Sequence, residues 1–368
     1  FLFIHAVLPS KILNKLFTII IMAFTEQDIE CMSLALKLSQ FGRSDVGANP
    51  MVGCVITRDD KIIAQDYHQL YGDGHAEINA LNQINHEADN TKLYVTLEPC
   101  SHYGKTPPCV AALINAGVKK VFIAMLDPNP LVSGKGIKIL QDAGVEVDIG
   151  LLENEAKDLN RGFIKRMQTG MPFVTSKIAM SIDGKIAMKS GESKWITSEA
   201  SRNDVQILRS ENQAIMTGSK TVLNDNPKMT VRLNNSKSKP LRVVIDSNNQ
   251  IIDKSLNIFS SDAGTLILNN SNSEILSNGK LDLKSALRQL GKKGINTLLL
   301  EAGSGLNGAM LEADLIDEYI IYTAPVILGS NASSMINIPL NKMSEKIELN
   351  ILDIRQIGSD IKIRATLK

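Results

Sequence analysis

Hydrophobic residues in the first part of the chain follow two spacings in turn, that of helices and that of strands. Stretches with apolar residues three and four positions apart are followed by short apolar or alternating runs, which are typical of strands. This order predicts an α/β sandwich whose sheet is partly parallel. The helical segments are 27–41, 75–81, 109–116 and 135–143, and the strand segments are 52–56, 62–63, 92–97, 118–125 and 145–149.

The pattern changes after residue 150. Residues 151–170 are charged and helical in pattern, and Thr169-Gly-Met-Pro172 then breaks the chain before a strand at 173–179. We therefore predict a connector at 151–170 between a first domain, 23–150, and a second domain, 171–368. At 368 residues the chain is long enough for two ordinary domains, each with its own core.

The first 22 residues differ from the rest. They are rich in Leu, Ile and Phe, but Lys11 and Lys15 interrupt the apolar run, which is too broken for a membrane span. We predict that 1–22 is an extension before a start at Met22, with an organellar presequence as the alternative. We predict no membrane role.

Composition narrows the class of protein. Hydrophobic residues make up 43% of the chain and charged residues 21%, as in globular proteins. A net charge of +1 gives no electrostatic case for binding nucleic acid. Four cysteines are too few for a disulfide framework, which predicts a reducing, cytoplasmic location. Cys31 and Cys54 lie among apolar residues and are predicted to be core residues.

Three short motifs together form the signature of a hydrolytic zinc site: His75-Ala-Glu77, Glu98-Pro-Cys100 and Cys109. One histidine and two cysteines leave the fourth tetrahedral position of Zn²⁺ open to water, as a catalytic site requires. Zinc deaminases add a glutamate that moves protons without binding the metal, which is the place of Glu77. Cys109 opens a predicted helix, whose N-terminus favours a thiolate. We predict that His75, Cys100 and Cys109 bind Zn²⁺, both cysteines as thiolates; a closed structural zinc site is the alternative.

Eight residues separate Cys100 from Cys109, where the general deaminase signature has two. The segment from Glu98 to Cys109 resembles the deaminase half of the bifunctional riboflavin biosynthesis proteins, in which a pyrimidine deaminase is joined to a 5-amino-6-(5-phosphoribosylamino)uracil reductase. Motifs that resemble the reductase half follow in order, so the resemblance runs from about residue 25 to the end. The matching runs are 173–179, 180–187, 191–198, 218–227, 229–232, 243–247 and 301–308.

A glycine loop in the second domain has two interpretations. Gly303-Ser-Gly-Leu-Asn-Gly308 follows the apolar strand 297–300 and matches the phosphate-binding pattern of Rossmann domains. That fold needs an acidic residue about 20 positions on, at the end of the next strand, and Asp317 and Glu318 come too early. We adopt the architecture that the resemblance implies, a cytidine-deaminase-like α/β/α sandwich followed by a dihydrofolate-reductase-like α/β domain.

The resemblance implies that NADPH is the cofactor of the second domain, although the residues themselves do not separate NADP from NAD. Trp195, the single tryptophan, is expected to contact the cofactor, with burial in the core as the alternative. The implied NADPH contacts are Ala179, Trp195, Thr221, Asp225, Ser247, Gly303, Ser304, Gly305, Leu306, Asn307, Gly308 and Ala309.

The implied substrate is a small phosphoribosyl pyrimidine. Arginine suits its phosphate because a planar guanidinium can bind two oxygens, but a surface salt bridge is the alternative for Arg209. The Asn49 amide either binds a pyrimidine edge or caps an Asn-Pro turn. Lys105 is the phosphate candidate of the first domain. The implied contacts are Ser193, Arg209, Met229, Arg232 and Glu301 in the second domain and Asn49, His68 and Lys105 in the first.

These inferences predict a two-step, homo-oligomeric enzyme of riboflavin biosynthesis. The first domain would deaminate 2,5-diamino-6-(5-phosphoribosylamino)pyrimidin-4-one 5′-phosphate, and the second would reduce the ribosyl group with NADPH. The alternative is a nucleoside or tRNA deaminase with an unrelated second domain, which would need a basic surface for RNA. A second alternative is a non-catalytic metal-binding regulatory protein, in which Glu77 would have no role.

Overall fold

The computed structural model describes residues 24–102, 107–129, 132–234 and 236–368. The chain divides into two compact units, the first ending at Asn160 and the second beginning at Arg161. The division falls inside the predicted connector and separates its two helices. The predicted extension at 1–22 lies outside the described residues.

The first unit is built on a five-stranded sheet in the order β2-β1-β3-β4-β5, in which β1 is antiparallel to both neighbours and the last three strands are parallel. The predicted sandwich with a partly parallel sheet is confirmed. Its strands are β1 (Gly53–Arg58), β2 (Lys61–Tyr67), β3 (Lys92–Val95), β4 (Lys120–Ile123) and β5 (Glu146–Ile149), and its helices are α1 (Glu26–Ser39), α2 (Ala76–Asn82), α3 (Cys109–Asn115), α4 (Lys135–Asp142) and α5 (Glu153–Leu159).

Alternate residues of β3 pack on opposite faces of this sheet, as strand geometry requires. Leu93 and Val95 join a buried cluster with Leu81 of α2 and Leu113 of α3. Tyr94, between them, donates a 2.7 Å hydrogen bond to Asp28 of α1. Helix α1 therefore covers one face, and the two helices that begin at the zinc motif share the other.

Helix α1 approaches β1 so closely that only glycine fits at the contact. A Cβ at Gly53 would lie 1.9 Å from the carbonyl oxygen of Ala35. Cys31 of α1 and Cys54 of β1 are both buried, so they are core residues, as predicted.

Asn160 closes the first unit through a contact with a residue far away in sequence. Its side-chain oxygen accepts a 2.8 Å hydrogen bond from the Met51 N–H, and its amide nitrogen donates to the Met51 carbonyl at 2.9 Å. Asn160 is buried. The pair holds the segment that includes Asn49 in front of β1.

The second unit is built on an eight-stranded sheet in the order β10-β9-β8-β11-β6-β12-β15-β14, with β7 and β13 forming a small separate pair. Its strands are β6 (Phe173–Ser181), β7 (Lys185–Ala187), β8 (Ala214–Gly218), β9 (Leu241–Ile245), β10 (Thr265–Leu268), β11 (Thr297–Leu300), β12 (Glu318–Ala324), β13 (Ser333–Ser334), β14 (Leu349–Ile357) and β15 (Asp360–Leu367), and its helices are α6 (Arg161–Thr169), α7 (Glu199–Ser210), α8 (Ser219–Asp225), α9 (Leu283–Lys292) and α10 (Ser304–Glu312).

The strands from β10 to β12 are parallel, and β15 and β14 continue the sheet antiparallel. The glycine-loop strand β11 lies inside the sheet, between β8 and β6, and the antiparallel hairpin β14–β15 forms one edge. This arrangement confirms the dihydrofolate-reductase-like interpretation over the Rossmann one. Within the described ranges, no helix combines the length and apolar character that a membrane span needs.

Both faces of the parallel part are buried. Met216 and Leu300 pack with Leu287 of α9 on one face. On the other, Ile215 and its neighbours pack against Val222 of α8. Because parallel strands end at the same edge, the loops that follow β6, β8, β9 and β11 meet there.

Candidate active sites

The three predicted zinc ligands meet where two helices begin. His75 precedes the first residue of α2, Cys109 is the first residue of α3, and Cys100 lies in the loop after β3. His75 Nδ1 lies 3.2 Å from Cys109 Sγ and 3.5 Å from Cys100 Sγ, and the three ligand atoms lie within 4.8 Å of one another. Tetrahedral zinc spaces such nitrogen and sulfur ligands roughly 3.5 Å apart. Both the donor set and its spacing therefore fit Zn²⁺.

The two thiols share a proton. A hydrogen bond from Cys109 and another from His75 lower the pKa of Cys100 to about 4, despite its burial. The hydrogen bond to Cys100, together with burial and the nearby Glu77, raises the pKa of Cys109 well above its usual value. A bound cation would favour the thiolate form of both cysteines, so metal binding is expected to release this proton.

Glu77 lies in the first turn of α2 and is buried. Burial raises the pKa of its carboxyl group to about 7, although the nearby His75 opposes this shift. A group with a pKa near the working pH can both accept and donate a proton, which suits a general acid–base catalyst.

Asn49 and His68 border the same site. The Asn49 amide nitrogen is 3.0 Å from His68 Nε2, His68 Nδ1 is 3.1 Å from the Gly74 carbonyl, and the His68 ring is 5.5 Å from that of His75. Burial lowers the pKa of His68, which is therefore neutral at neutral pH. The Asn49 side chain contacts this imidazole, so the alternative of a simple Asn-Pro cap does not account for it.

Glu98 is a residue of this region to which the sequence motif alone assigns no role. Its carboxylate is buried and accepts hydrogen bonds from the backbone N–H groups of Asp127 at 3.2 Å, Gly134 at 3.0 Å and Gly136 at 3.0 Å. The loop after β4 is thereby fixed next to Cys100. The phosphate candidate Lys105 lies outside the described residues.

In the second unit, predicted cofactor residues follow neighbouring strands at the carboxyl edge of the sheet. Ala179 is near the end of β6, Thr221 lies on α8 after β8, Ser247 follows β9, and Gly303 follows β11. The fold thus brings together residues that are up to 124 positions apart, as Ala179 and Gly303 are.

The glycines of the loop fall into two groups, those that face open space and one that is tightly packed. No atom lies within 4 Å of a Cβ built on Gly303 or Gly305, so the start of α10 faces open space that a phosphate can occupy. A Cβ at Gly308 would lie 2.2 Å from the Asn337 carbonyl oxygen. Asn307 is buried, accepts a hydrogen bond from Ser176 at 2.8 Å and donates to the Ala302 carbonyl at 2.7 Å. Gly308 and Asn307 therefore fix the conformation of the loop through contacts inside the protein. The other predicted loop contacts, Ser304, Leu306 and Ala309, belong to the first two turns of α10.

Glu301 is the centre of a largely buried ionic cluster, whose side chains are 11–16% exposed. Arg209 binds both of its oxygens, at 2.6 and 3.0 Å, and Lys177 Nζ lies 3.3 Å from Oε2. Burial by itself would raise the pKa of Glu301, but Arg209 and Lys177 lower it well below its usual range. The salt bridge considered for Arg209 is present, but it is not on the surface, because its two side chains are only 11% and 12% exposed. Arg209 also donates to the Thr230 carbonyl at 3.1 Å.

Arg232 and Met229 differ in what they offer a substrate. Arg232 is exposed, and burial of its inner part and the nearby Arg209 lower its pKa, so two guanidinium groups lie near each other. An anion between them would relieve that repulsion. The Met229 side chain is buried in the core with Val222 and Val244, so a substrate contact there would have to come from its backbone.

Trp195 is 70% exposed, so its interpretation as core filler is wrong. The Arg202 guanidinium lies 4.6 Å from the centre of its ring. Two other predicted residues, Ser193 and Asp225, line one cleft of about 400 Å³ formed by residues 190–194 and the end of α8.

Fold and sites together define the class of the protein as a zinc deaminase joined to a nucleotide-dependent reductase. Residues 25–125 match the cytidine and deoxycytidylate deaminase zinc-binding region, and residues 172–363 match the RibD C-terminal domain. The chain belongs to the RibD family of riboflavin biosynthesis proteins, as the sequence motifs predicted.

Its similarity to relatives extends over both units. It is 42% identical to the riboflavin biosynthesis protein RibD of Escherichia coli, in an alignment that covers 91% of this chain and 98% of the relative. The RibD of Haemophilus influenzae is also 42% identical, with 94% and 99% covered. Among solved structures, Acinetobacter baumannii RibD superposes with a TM-score of 0.86 at 40% identity over 93% of this chain and 99% of that one. A deaminase/reductase from Thermotoga maritima gives a TM-score of 0.85 at 32% identity, over 93% of this chain and 99% of that one.

Proposed function

We propose that this protein catalyses two consecutive steps of riboflavin biosynthesis. The first unit removes the 2-amino group of 2,5-diamino-6-(5-phosphoribosylamino)pyrimidin-4-one 5′-phosphate as ammonia. The second reduces the ribosyl group to ribityl, giving 5-amino-6-(5-phosphoribitylamino)uracil. The observation that carries this proposal is the meeting of His75, Cys100 and Cys109 with the buried Glu77, in a chain whose similarity to RibD covers both units.

In the first unit, His75, Cys100 and Cys109 hold zinc. When bound, the metal lowers the pKa of water so that hydroxide is available at neutral pH. Glu77 accepts a proton from the attacking water and returns it to the leaving amine, for which a pKa of about 7 is suited. The Asn49 amide orients the pyrimidine, and neutral His68 orients that amide. Lys105 is retained as the proposed phosphate contact.

In the second unit, the open start of α10 binds the NADPH phosphates through its backbone N–H groups. When bound, NADPH supplies a hydride for the ribose C1′. Trp195 offers one ring face to the cofactor, because Arg202 occupies the other. The remaining cofactor contacts proposed are Ala179, Thr221, Asp225 and Ser247.

The substrate phosphate of the reductase is proposed to lie beside Arg232, whose neighbour Arg209 adds positive charge. Glu301 and Lys177 form the polar floor of this site. Ser193, in the cleft that also includes Asp225, contacts the ribosyl group. The RibD C-terminal match over 172–363 opposes the alternative of an unrelated second domain.

A homo-oligomer is also proposed, formed through the edge strand β14. Ile351, Leu352 and Ile354 of this strand are exposed, and an unpaired apolar edge favours association with another chain. We expect light scattering to give more than one chain per particle, and Ile354→Lys to lower the mass. Ile252→Lys, at a still more exposed residue elsewhere in the unit, is the control and should leave the mass unchanged. A monomeric wild type would contradict this proposal.

All four cysteines are free, which supports a reducing compartment, and we propose that the enzyme acts in the cytoplasm. Cell fractionation that recovers the chain with another compartment would overturn this location.

The test of the two activities is one assay of the zinc-loaded protein on the diaminopyrimidine ribotide. Ammonia release should come first and oxidation of NADPH second. The oxidation is monitored by the loss of NADPH absorbance. Ammonia without NADPH oxidation would refute the reductase half, and no ammonia release by the zinc-loaded protein would refute the deaminase half.

A further inference from the structure

The turn of the β14–β15 hairpin reaches the N-terminus of α7. Asp360, the first residue of β15, is buried, and its Oδ2 accepts hydrogen bonds from the Ser198 N–H at 2.7 Å, the Ser198 hydroxyl at 2.8 Å and the Ser201 hydroxyl at 2.6 Å. Its Oδ1 accepts a hydrogen bond from Ser359 at 3.0 Å. A Cβ at Gly358 would lie 3.1 Å from the Ser198 hydroxyl, so the turn is packed tightly on the helix start.

This carboxylate is placed to fix the first turn of α7. Ser198 is the N-cap of the helix, and a negative charge at a helix N-terminus is stabilising. The rest of the helix has a separate attachment, because Asp204 accepts hydrogen bonds from Tyr322 and, at 2.6 Å, from Lys362. Loss of Asp360 should therefore loosen the first turn and leave the remainder of α7 attached.

The first turn of α7 holds the segment that precedes it. Arg202 donates a 2.7 Å hydrogen bond to the Thr197 carbonyl and places its guanidinium against the Trp195 ring. Lys194 in turn reaches the Asp225 carbonyl at 3.4 Å across the cleft that includes Ser193. A continuous set of contacts thus runs from the hairpin turn to the proposed cofactor and substrate contacts.

We infer that Asp360 is a positioning residue for the reductase reaction, which holds the loop of residues 190–197 in its binding conformation through Ser198, Ser201 and Arg202. The inference rests on the proposed function, because Ser193 and Trp195 are taken as ligand contacts. Asp360 itself touches no ligand and acts through the first turn of α7.

The experiment compares full-length, zinc-loaded wild type with Asp360→Ala and Asp360→Asn. We expect Asp360→Ala to raise the reductase KM for NADPH about tenfold, equivalent to ~1.4 kcal/mol of binding, with a much smaller change in kcat. Asparagine can still accept hydrogen bonds from Ser198 and Ser201, so Asp360→Asn should recover part of the affinity. Ammonia release by the other unit should be unchanged in both variants.

Trp195 provides a second readout, because it is the only tryptophan in the chain. In Asp360→Ala its emission should be quenched more strongly by acrylamide and less strongly by NADPH. Asp262→Asn is the matched control, since this exposed carboxylate of the same unit accepts a 3.0 Å hydrogen bond from Ser260 and precedes β10, at the opposite edge of the sheet from the β14–β15 hairpin. It should behave as wild type.

Wild-type KM and quenching in Asp360→Ala would overturn the inference. If that variant unfolds the reductase, the milder Ser201→Ala decides: an intermediate rise in KM supports the inference, and an unchanged KM refutes it. Failure of the proposed function is distinguishable, because the wild type itself would then not oxidise NADPH, or would oxidise it without any quenching of Trp195.

Discussion

Glu77 illustrates how burial and chemistry coincide at a single residue. It is 3% exposed, and that burial raises its pKa to about 7. We expect Glu77→Gln to lower deaminase kcat by about 10²–10⁴-fold, because the amide cannot accept a proton from water. Bound zinc, measured by metal analysis, and NADPH oxidation on the deaminated substrate should remain. Full ammonia release by the variant would contradict the role of Glu77 in catalysis. It would support the alternative of a non-catalytic, regulatory metal site.

Replacement of Arg209 should lower the free energy of unfolding of the reductase unit more than replacement of an exposed basic residue. Arg209→Met would leave the buried Glu301 with Lys177 alone, and breaking a buried ion pair costs about 3–5 kcal/mol. Urea unfolding followed by Trp195 fluorescence should show a loss of this order. Lys346→Met removes an exposed pair with Glu348 and should cost about 1 kcal/mol or less. Equal effects of the two substitutions would contradict the buried-pair account.

Single residues differ in how far the sequence predicts them. His75, Cys100 and Cys109 were predictable because zinc binds histidine and cysteine and because the motifs around them match those of zinc deaminases. The pairing of Arg209 with Glu301 was not, because the two residues are 92 positions apart and meet only when α7 packs near the end of β11. The cation contact at Trp195 was not predictable either, because it comes from Arg202, a helix residue that carries no motif of its own.

Among the elements, the loop after β4 is held by hydrogen bonds to Glu98, a residue that does not belong to the loop. Both oxygens of Glu98 accept backbone hydrogen bonds, so Glu98→Gln would turn an amide donor toward a backbone N–H. We expect the deaminase KM to rise about tenfold or more through loss of bonds to a charged group. The reductase KM should not change, and Glu30→Gln on the exposed face of α1 is the matched control. An unchanged deaminase KM would show that this loop does not shape the pocket.

The elements of the first unit followed from hydrophobic periodicity to within a few residues, whereas most of those in the second unit were not predicted. Strand β3 alternates and α2 and α3 begin at the zinc motif, as predicted. The sequence does not reveal what Glu98 binds, because its partners are backbone groups up to 38 positions away, and any residue type supplies a backbone N–H. Asp360 is similarly hidden in the sequence, because its partners on α7 and at the helix N-cap lie at least 159 positions earlier in the chain.

For the whole molecule, two separate cores predict that the two activities can be lost one at a time. A zinc chelator should abolish ammonia release, and NADPH oxidation on the deaminated intermediate should continue, because the ligands and their supporting cluster all belong to the first unit. Adding Zn²⁺ back should restore ammonia release. Parallel loss of both activities would mean that the metal supports the whole chain.

Asn160 has a consequence for the order of events during synthesis of the chain. Its side chain pairs with Met51 across 109 positions, so this anchor of the segment with Asn49 forms only after residue 160 has left the ribosome. At about 5–20 residues per second, roughly 3–10 s pass between synthesis of Cys109 and synthesis of Asn160. During that time all three metal ligands exist while this contact is missing, and zinc has a window to enter before the segment is fixed.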